Sequence, residues 1–188
     1  MTTIALDANT AILSAACHEP EGVIERSVYP LILTPQNIQK FWESAKGFRT
    51  IFGDEINGDF KKFCEILMSQ EGDNVFSNGL FWVIDDMVGV YYMTHIEAND
   101  AQIHYSFFDR RHHGRQMLTR RMIQFVFNKY KFRRLTAEIP FFAKGTFEFV
   151  EQVGLKVEGR KRKAAFMDDE WFDTRLYGIL KEEATSWG

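Results

Sequence analysis

Cysteine is almost absent: Cys17 and Cys64 are the only two among 188 residues. That excludes a disulfide-built scaffold and a four-thiolate zinc site, and both thiols suit a reducing compartment. Proline is scarce at four, and thirteen glycines are no excess. No heptad or short repeat recurs, so collagen-like, coiled-coil and low-complexity classes fall away. No apolar run nears the ~20 residues that span a bilayer. The short apolar stretch at residues 11–17 lacks a basic flank, since Arg26 is the first Lys or Arg and Asp7 precedes the stretch. Ser14 stands where a lipoprotein signal wants an apolar residue. No export signal is read, and a cytoplasmic protein without a membrane partner is expected.

The most telling absence is local. Residues 110–134 hold no Asp or Glu, yet carry seven Arg (Arg110, Arg111, Arg115, Arg120, Arg121, Arg133, Arg134) and two Lys (Lys129, Lys131). That is nine of the chain's 23 basic residues, so the other 14 face all 26 acidic ones. A segment of +9 therefore sits inside a remainder of −12. Such a field suits a polyanionic ligand, although a solvated helix face gives the same pattern.

What is present is ordinary globular material: 45% hydrophobic and 26% charged residues, with 18 Phe, 6 Tyr and 4 Trp. One domain over 1–188 is expected, with residues 1–22 open as a flexible or interface arm and the chain a monomer or homodimer. Residues 10–17 have helical tendency, and residues 27–34 read as a strand. Thr34-Pro35 opens a helix to about Lys46, and Asp59 caps a second. Residues 53–58 and 72–79 read as loops. From Leu80 the pattern turns to strands: 80–84 and 88–96 as a hairpin about Asp85-Asp86, a turn at Asn99-Asp100, then 103–108. Residues 114–130 form a long amphipathic helix. A strand at 135–139 ends at Pro140, and a short helix at 146–153 is closed by Gly154. Strands 157–167 and 171–180 make a final hairpin about Asp168-Asp169. The fold class is α/β (α+β): a mixed sheet with antiparallel N-terminal strands, one β–α–β crossover with a parallel neighbour, and a C-terminal β-hairpin.

The run Arg111-His112-His113-Gly114-Arg115-Gln116 lies between a strand and the long helix. Free backbone N–H groups and partial positive charge gather at a helix start, and a glycine there lets a ligand approach closely. A phosphate or pyrophosphate fits, with Arg at the rim. A tight turn with solvated side chains is the plainer alternative. The run is neither a Walker A loop nor a three-glycine dinucleotide fingerprint. His95, His112 and His113 have no carboxylate or Cys partner at ligand spacing, so no metal is expected.

At this point the chain resembles the GNAT superfamily of acyl-CoA-dependent N-acetyltransferases. Their phosphate-cradling motif, Gln/Arg-x-x-Gly-x-Gly/Ala, is matched by Arg111 and Gly114 and departs at Gln116. The C-terminal part is more similar to the branch that acetylates the N-termini of ribosomal proteins. Thr146 takes the place of that branch's Ser; Glu151-Gln152-Val153-Gly154-Leu155, Glu158-Gly159, then Asp173, Tyr177 and Leu180 follow in register. The branch's Asn falls on Ala143. The resemblance spans about residues 80–181.

The resemblance implies acetyl-CoA as cofactor, its pyrophosphate on residues 111–116 (Arg111, His112, His113, Gly114, Arg115, Gln116), and its pantetheine arm along Phe107 and Phe108. The strand at 135–139 would splay from its neighbour to leave room for both substrates. An amine, of a small molecule or a protein N-terminus, would attack the thioester directly. Thr146 would be the acid for the leaving thiolate; His104, Glu138 or Glu97 would be the base. Each of these also suits a purely structural or surface role. Phe141, Phe142, Phe147 and Phe149 suit the core or an acceptor channel. Two other readings stay open: a GNAT-like scaffold binding CoA or a protein without catalysis, and a nucleic-acid module using residues 110–134. Nucleic-acid binding would fall steeply with salt.

Overall fold

The computed structural model describes residues 13–19, 22–52, 54, 56, 58–109 and 114–187, with side chains of the first two strands described from Arg26 onward. Ten strands and six helices follow one another along them. Leu13–Glu19 (β1) and Gly22–Pro30 (β2) pair antiparallel over seven residues. The helical tendency expected around residues 10–17 is overturned from Leu13 onward: alanine favours a helix only weakly, and a complete ladder with β2 outweighs it. Residues 1–12, 20 and 21 lie outside the described residues, so the expected arm is seen only where it is strand.

Pro35–Ala45 (α1) starts as expected, with Thr34 Oγ1 accepting the Asn37 amide at 3.2 Å. Ile38, Phe41, Trp42 and Ala45 form its buried stripe, spaced as one helical face. A one-turn helix, Arg49–Phe52 (α2), follows. Phe60–Leu67 (α3) is capped by Asp59, which accepts from the Lys61 and Lys62 amides. The loop expected at 72–79 is instead the outer half of a small hairpin, Met68–Glu71 (β3) and Asn74–Ser77 (β4). Its strands are mostly exposed on both faces, so no apolar alternation announces them.

Leu80–Ile84 (β5), Gly89–Thr94 (β6) and Asp100–Phe107 (β7) form an antiparallel meander. Asp100, expected in a turn, opens β7. Arg115–Lys129 (α4) crosses over to Arg134–Pro140 (β8), which lies parallel to β7. Gly145–Val153 (α5) leads into Lys156–Met167 (β9) and Glu170–Leu180 (β10), joined through Asp168-Asp169 with both residues at positive φ. Such two-residue turns match the strand twist. Lys181–Thr185 (α6) follows. The main sheet runs β1-β2-β5-β6-β7-β8-β10-β9, and only β7 and β8 are parallel.

Each face of the sheet carries its own core. Leu118, Met122, Ile123 and Val126 of α4 pack with Val150 and Val153 of α5 against Tyr91, Ile103, Leu135 and Tyr177. On the other face, α1 and α3 bury Phe41, Trp42, Phe63 and Leu67 against Val90 and Tyr92. Burying one such side chain contributes roughly 1.5–3 kcal/mol before entropy is subtracted.

Candidate active site

The sheet opens where its single parallel pair ends. β7 and β8 are in register at Asp100↔Arg134, Ala101↔Leu135 and Gln102↔Thr136, and no further. Both strands run on, to Phe107 and Pro140, so they diverge. Phe108 donates its amide to the Val88 carbonyl at 2.9 Å on the β6 side. By antiparallel alternation the amides of Tyr105 and Phe107 then face the opening. Phe107 therefore offers its backbone where the resemblance places the pantetheine arm, while the amide of Phe108 is already spent.

Two connected hollows occupy the divergence. The inner one, about 570 Å³, is lined by Tyr105, Phe107, Arg115, Ala143, Thr146 and Phe149, among others. The outer one, about 990 Å³, is lined by His95, Glu97, Asp100, Gln102, Lys161 and Phe166, among others. Tyr92, His104, Glu138 and Phe142 border both. His104 and Glu138 each stand two residues beyond the last pair, Gln102↔Thr136, so strand alternation puts them on one face across the gap. Sequence spacing alone could not have joined them.

α4 begins at the inner hollow. Gly114 precedes it at φ 79°, and no side chain caps its first turn. The Arg115 guanidinium lies 5.8 Å from the Phe107 ring and 5.9 Å from the Phe149 ring. Arg111, His112 and His113 lie outside the described residues. Gln116 turns its amide to Gln152 on α5, so its bulk is tied to α5. A helix start, the Arg115 cation and an open strand edge thus meet at the inner hollow, and a helix start is where anions bind.

Much of the +9 segment serves the fold. Arg120 donates to the carbonyls of Gln152 at 2.6 Å and Val153 at 3.2 Å, closing the C-terminal end of α5. Arg134 pairs with Asp100 at 3.3 Å and Glu158 at 2.5 Å. The C-terminal residues that carried the resemblance are ties as well. Tyr177 donates to Glu151 at 2.9 Å, and Asp173 accepts the Lys163 amide and pairs with Arg160. At Gly178 the Glu158 carboxylate fills the space a Cβ would take.

Thr146 lies in the first turn of α5 with its amide on the Ala143 carbonyl, and its hydroxyl takes no hydrogen bond among the described residues. Glu138 forms an ion pair with Lys161 of β9. Glu97 is exposed at the outer rim. His104 stacks on the Tyr92 ring at 4.4 Å and 3°, and its Nε2 meets Thr94 Oγ1 at 2.8 Å. Burial, aided by His95, pulls its pKa down from 6.5 to about 4, so the ring is neutral near pH 7. Burial raises the Tyr92 phenol, which stays protonated. Of the aromatic run, Phe142 borders both hollows and Phe149 the inner one. Phe141 and Phe147 instead pack on each other beneath Arg175.

The sheet is thus parted beyond its one parallel pair, with a helix start on one side of the gap and titratable side chains on the other. A family model described as an acetyltransferase (GNAT) domain matches residues 38–176. The chain belongs to the GNAT acetyltransferases, which are acetyl-CoA-dependent N-acetyltransferases. Among solved structures, spermidine N-acetyltransferase from Vibrio cholerae in complex with CoA and spermine is similar at TM-score 0.67 and 14% identity, over 85% of this chain and 98% of that one. A chimera of that enzyme is similar at TM-score 0.66 and 14% identity, over 84% and 98%. Identities this low show the fold. No curated protein matches in sequence.

Proposed function

We propose that this single domain, residues 1–188, moves an acetyl group from acetyl-CoA to a primary amine by direct attack. The observation that carries the reading is the end of β7–β8 pairing at Gln102↔Thr136, with two hollows meeting at His104 and Glu138. Gly114, Arg115, Phe107 and the start of α4 would hold the cofactor, with residues 111–113 completing the phosphate loop. When bound, acetyl-CoA supplies an acyl carbon whose bond to sulfur breaks as a bond to nitrogen forms. His104, neutral near pH 7, accepts the amine proton. Glu138, engaged by Lys161, orients the amine instead. Thr146, with its hydroxyl unengaged, hands a proton to the leaving sulfur.

The acceptor enters through the outer hollow. Glu97, Asp100 and Glu138 line it; Asp100 pairs with Arg134 and Glu138 with Lys161, so Glu97 is the carboxylate open to a second positive charge on the acceptor. A polyamine, as spermine is in the Vibrio cholerae complex, and a basic protein N-terminus both carry such a charge. A cytoplasmic location belongs to this reading, and the free Cys64 thiol is compatible with it.

Thermal unfolding with CoA and acetyl-CoA is the first test. Ligand at ~100 times its Kd adds about 2.7 kcal/mol, a shift of several degrees. Both ligands are expected to give it, with little from ATP or a short RNA. No shift at millimolar CoA would sink the reading. Acetyl-CoA consumption with spermidine and with peptides of free N-terminus then sorts the acceptors. Thr146→Ala is expected to lower kcat by roughly a hundredfold while the CoA-induced shift stays. Unchanged turnover would remove Thr146 from the chemistry.

A further inference from the structure

His104 can take a proton from the gap, but its half-buried ring, stacked flat on Tyr92, holds one poorly. The structure offers that proton a way out. Thr94 Oγ1, at the end of β6, lies 2.8 Å from His104 Nε2 and 3.1 Å from His95 Nδ1. One hydroxyl thus bridges two imidazoles. His104 borders both hollows, and its Nδ1 takes no hydrogen bond among the described residues. His95 is exposed, sits at φ 47° in the turn after β6, and keeps its ring on Thr94.

We infer that Thr94 and His95 form a proton relay that carries the acceptor amine's proton from His104 to solvent. The inference rests on the acetyl-transfer reading and deepens it. A hydroxyl has one proton to give and lone pairs to accept another. In the resting arrangement His104 Nε2–H donates to Thr94, and Thr94 donates to His95 Nδ1. That tautomer leaves His104 Nδ1 as the open acceptor. As nitrogen bonds to the acyl carbon, its proton passes to His104 Nδ1. The Nε2 proton moves to Thr94 Oγ1, whose own proton moves to His95 Nδ1. His95 then sheds its Nε2 proton to water. One proton enters, one leaves, and no charge stays on the His104 ring. The other titratable or charged groups around the path are Tyr92 on β6, Glu138 on β8 and Lys161 on β9, with Glu97 and Asp100 at the outer rim. Glu138 and Lys161 compensate each other, and the Tyr92 phenol stays protonated, so none of the three diverts the proton.

The test uses the full chain, acetyl-CoA and primary amines, spermidine first. Thr94→Val keeps the shape and removes the hydroxyl. It is expected to lower kcat about tenfold or more, leaving the KM for acetyl-CoA and the CoA-induced Tm shift in place. Thr94→Ser should recover most of the loss. His95→Ala should also slow turnover, and imidazole added to the buffer should restore it, because His95 is the solvent end. Imidazole should not restore Thr94→Val. A purely structural role for these residues would show no such rescue. Equal turnover by wild type, Thr94→Val and His95→Ala overturns the relay alone. A wild type that shifts with CoA but acetylates no amine overturns the acetyl-transfer reading, and the relay with it.

Discussion

The two hollows on either side of the β7–β8 divergence are made of different materials. The inner one sets the open edge of β7 and the start of α4 among mostly aromatic and small side chains, with Phe107, Arg115 and Phe149 as walls. The outer one is built from side chains: two histidines, three carboxylates and a lysine drawn from β7, β8, β9 and the turn after β6. On the proposed reading the first would take the acyl donor and the second the acceptor, so the two substrates would have separate physical supports.

The contrast is broken most completely at Gly114. Gly114→Asp adds a carboxylate where anionic ligand is expected, and Gly114→Ala adds only the strain of a left-handed alanine, of roughly 1 kcal/mol. The first is expected to abolish the CoA-induced Tm shift and the second to weaken it. A normal shift with Gly114→Asp would dissociate this turn from the phosphates. Next come the cores behind the two hollows. Phe41→Ala, on the α1 face, is expected to cost about 3–5 kcal/mol, and Leu118→Ala, on the α4 face, about 2–5; denaturant unfolding measures both.

Protonation sharpens the difference. His104 binds fewer protons folded than unfolded, because its pKa falls from 6.5 to about 4. Stability therefore declines as pH drops through that window and levels off below it, by about 3 kcal/mol in all. In His104→Gln the decline over pH 6.5–4 should largely vanish. An unchanged slope would show that the ring is not buried neutral. The smallest effect belongs to Arg120. Arg120→Met removes two charge-assisted bonds to the end of α5 and should cost roughly 1.5–3 kcal/mol, with CoA affinity changed little. A large loss of affinity would return Arg120 to the cofactor site.

Legibility in the sequence follows the same division. The inner hollow was readable because its parts are consecutive: a strand, a glycine and a helix start within residues 103–130. The mixed sheet and the parallel crossover were readable because each strand there has an apolar face. The β3–β4 hairpin was not, since its strands are exposed and pairing rather than burial makes them strands; β1 was not, since its residues read as helix-prone. The outer hollow was read only in fragments. His104, Glu138 and Glu97 could be nominated, but nothing in a linear pattern says that strand divergence unites His104 with Glu138, or that Lys161 engages the latter. Thr94, which bridges two histidines, carries no motif. The basic run at 110–134 was legible as charge but not as purpose, because whether an arginine meets a ligand or the carbonyls of Gln152 and Val153 depends on helix packing.

The unpaired length of β7 is an edge in the interior of a sheet. Outer edges are templates for unwanted strands, and β9 guards its own with Lys156, Arg160, Lys161, Arg162 and Lys163. The interior edge has no such guard, since charge or bulk there would close the gap. Its protection is seclusion: β8, α2 and the loop after β8 wall it in. Seen this way, the protein is a sheet whose ladder stops partway between two neighbours, and a ligand that paired there would be part of the fold while it stayed bound.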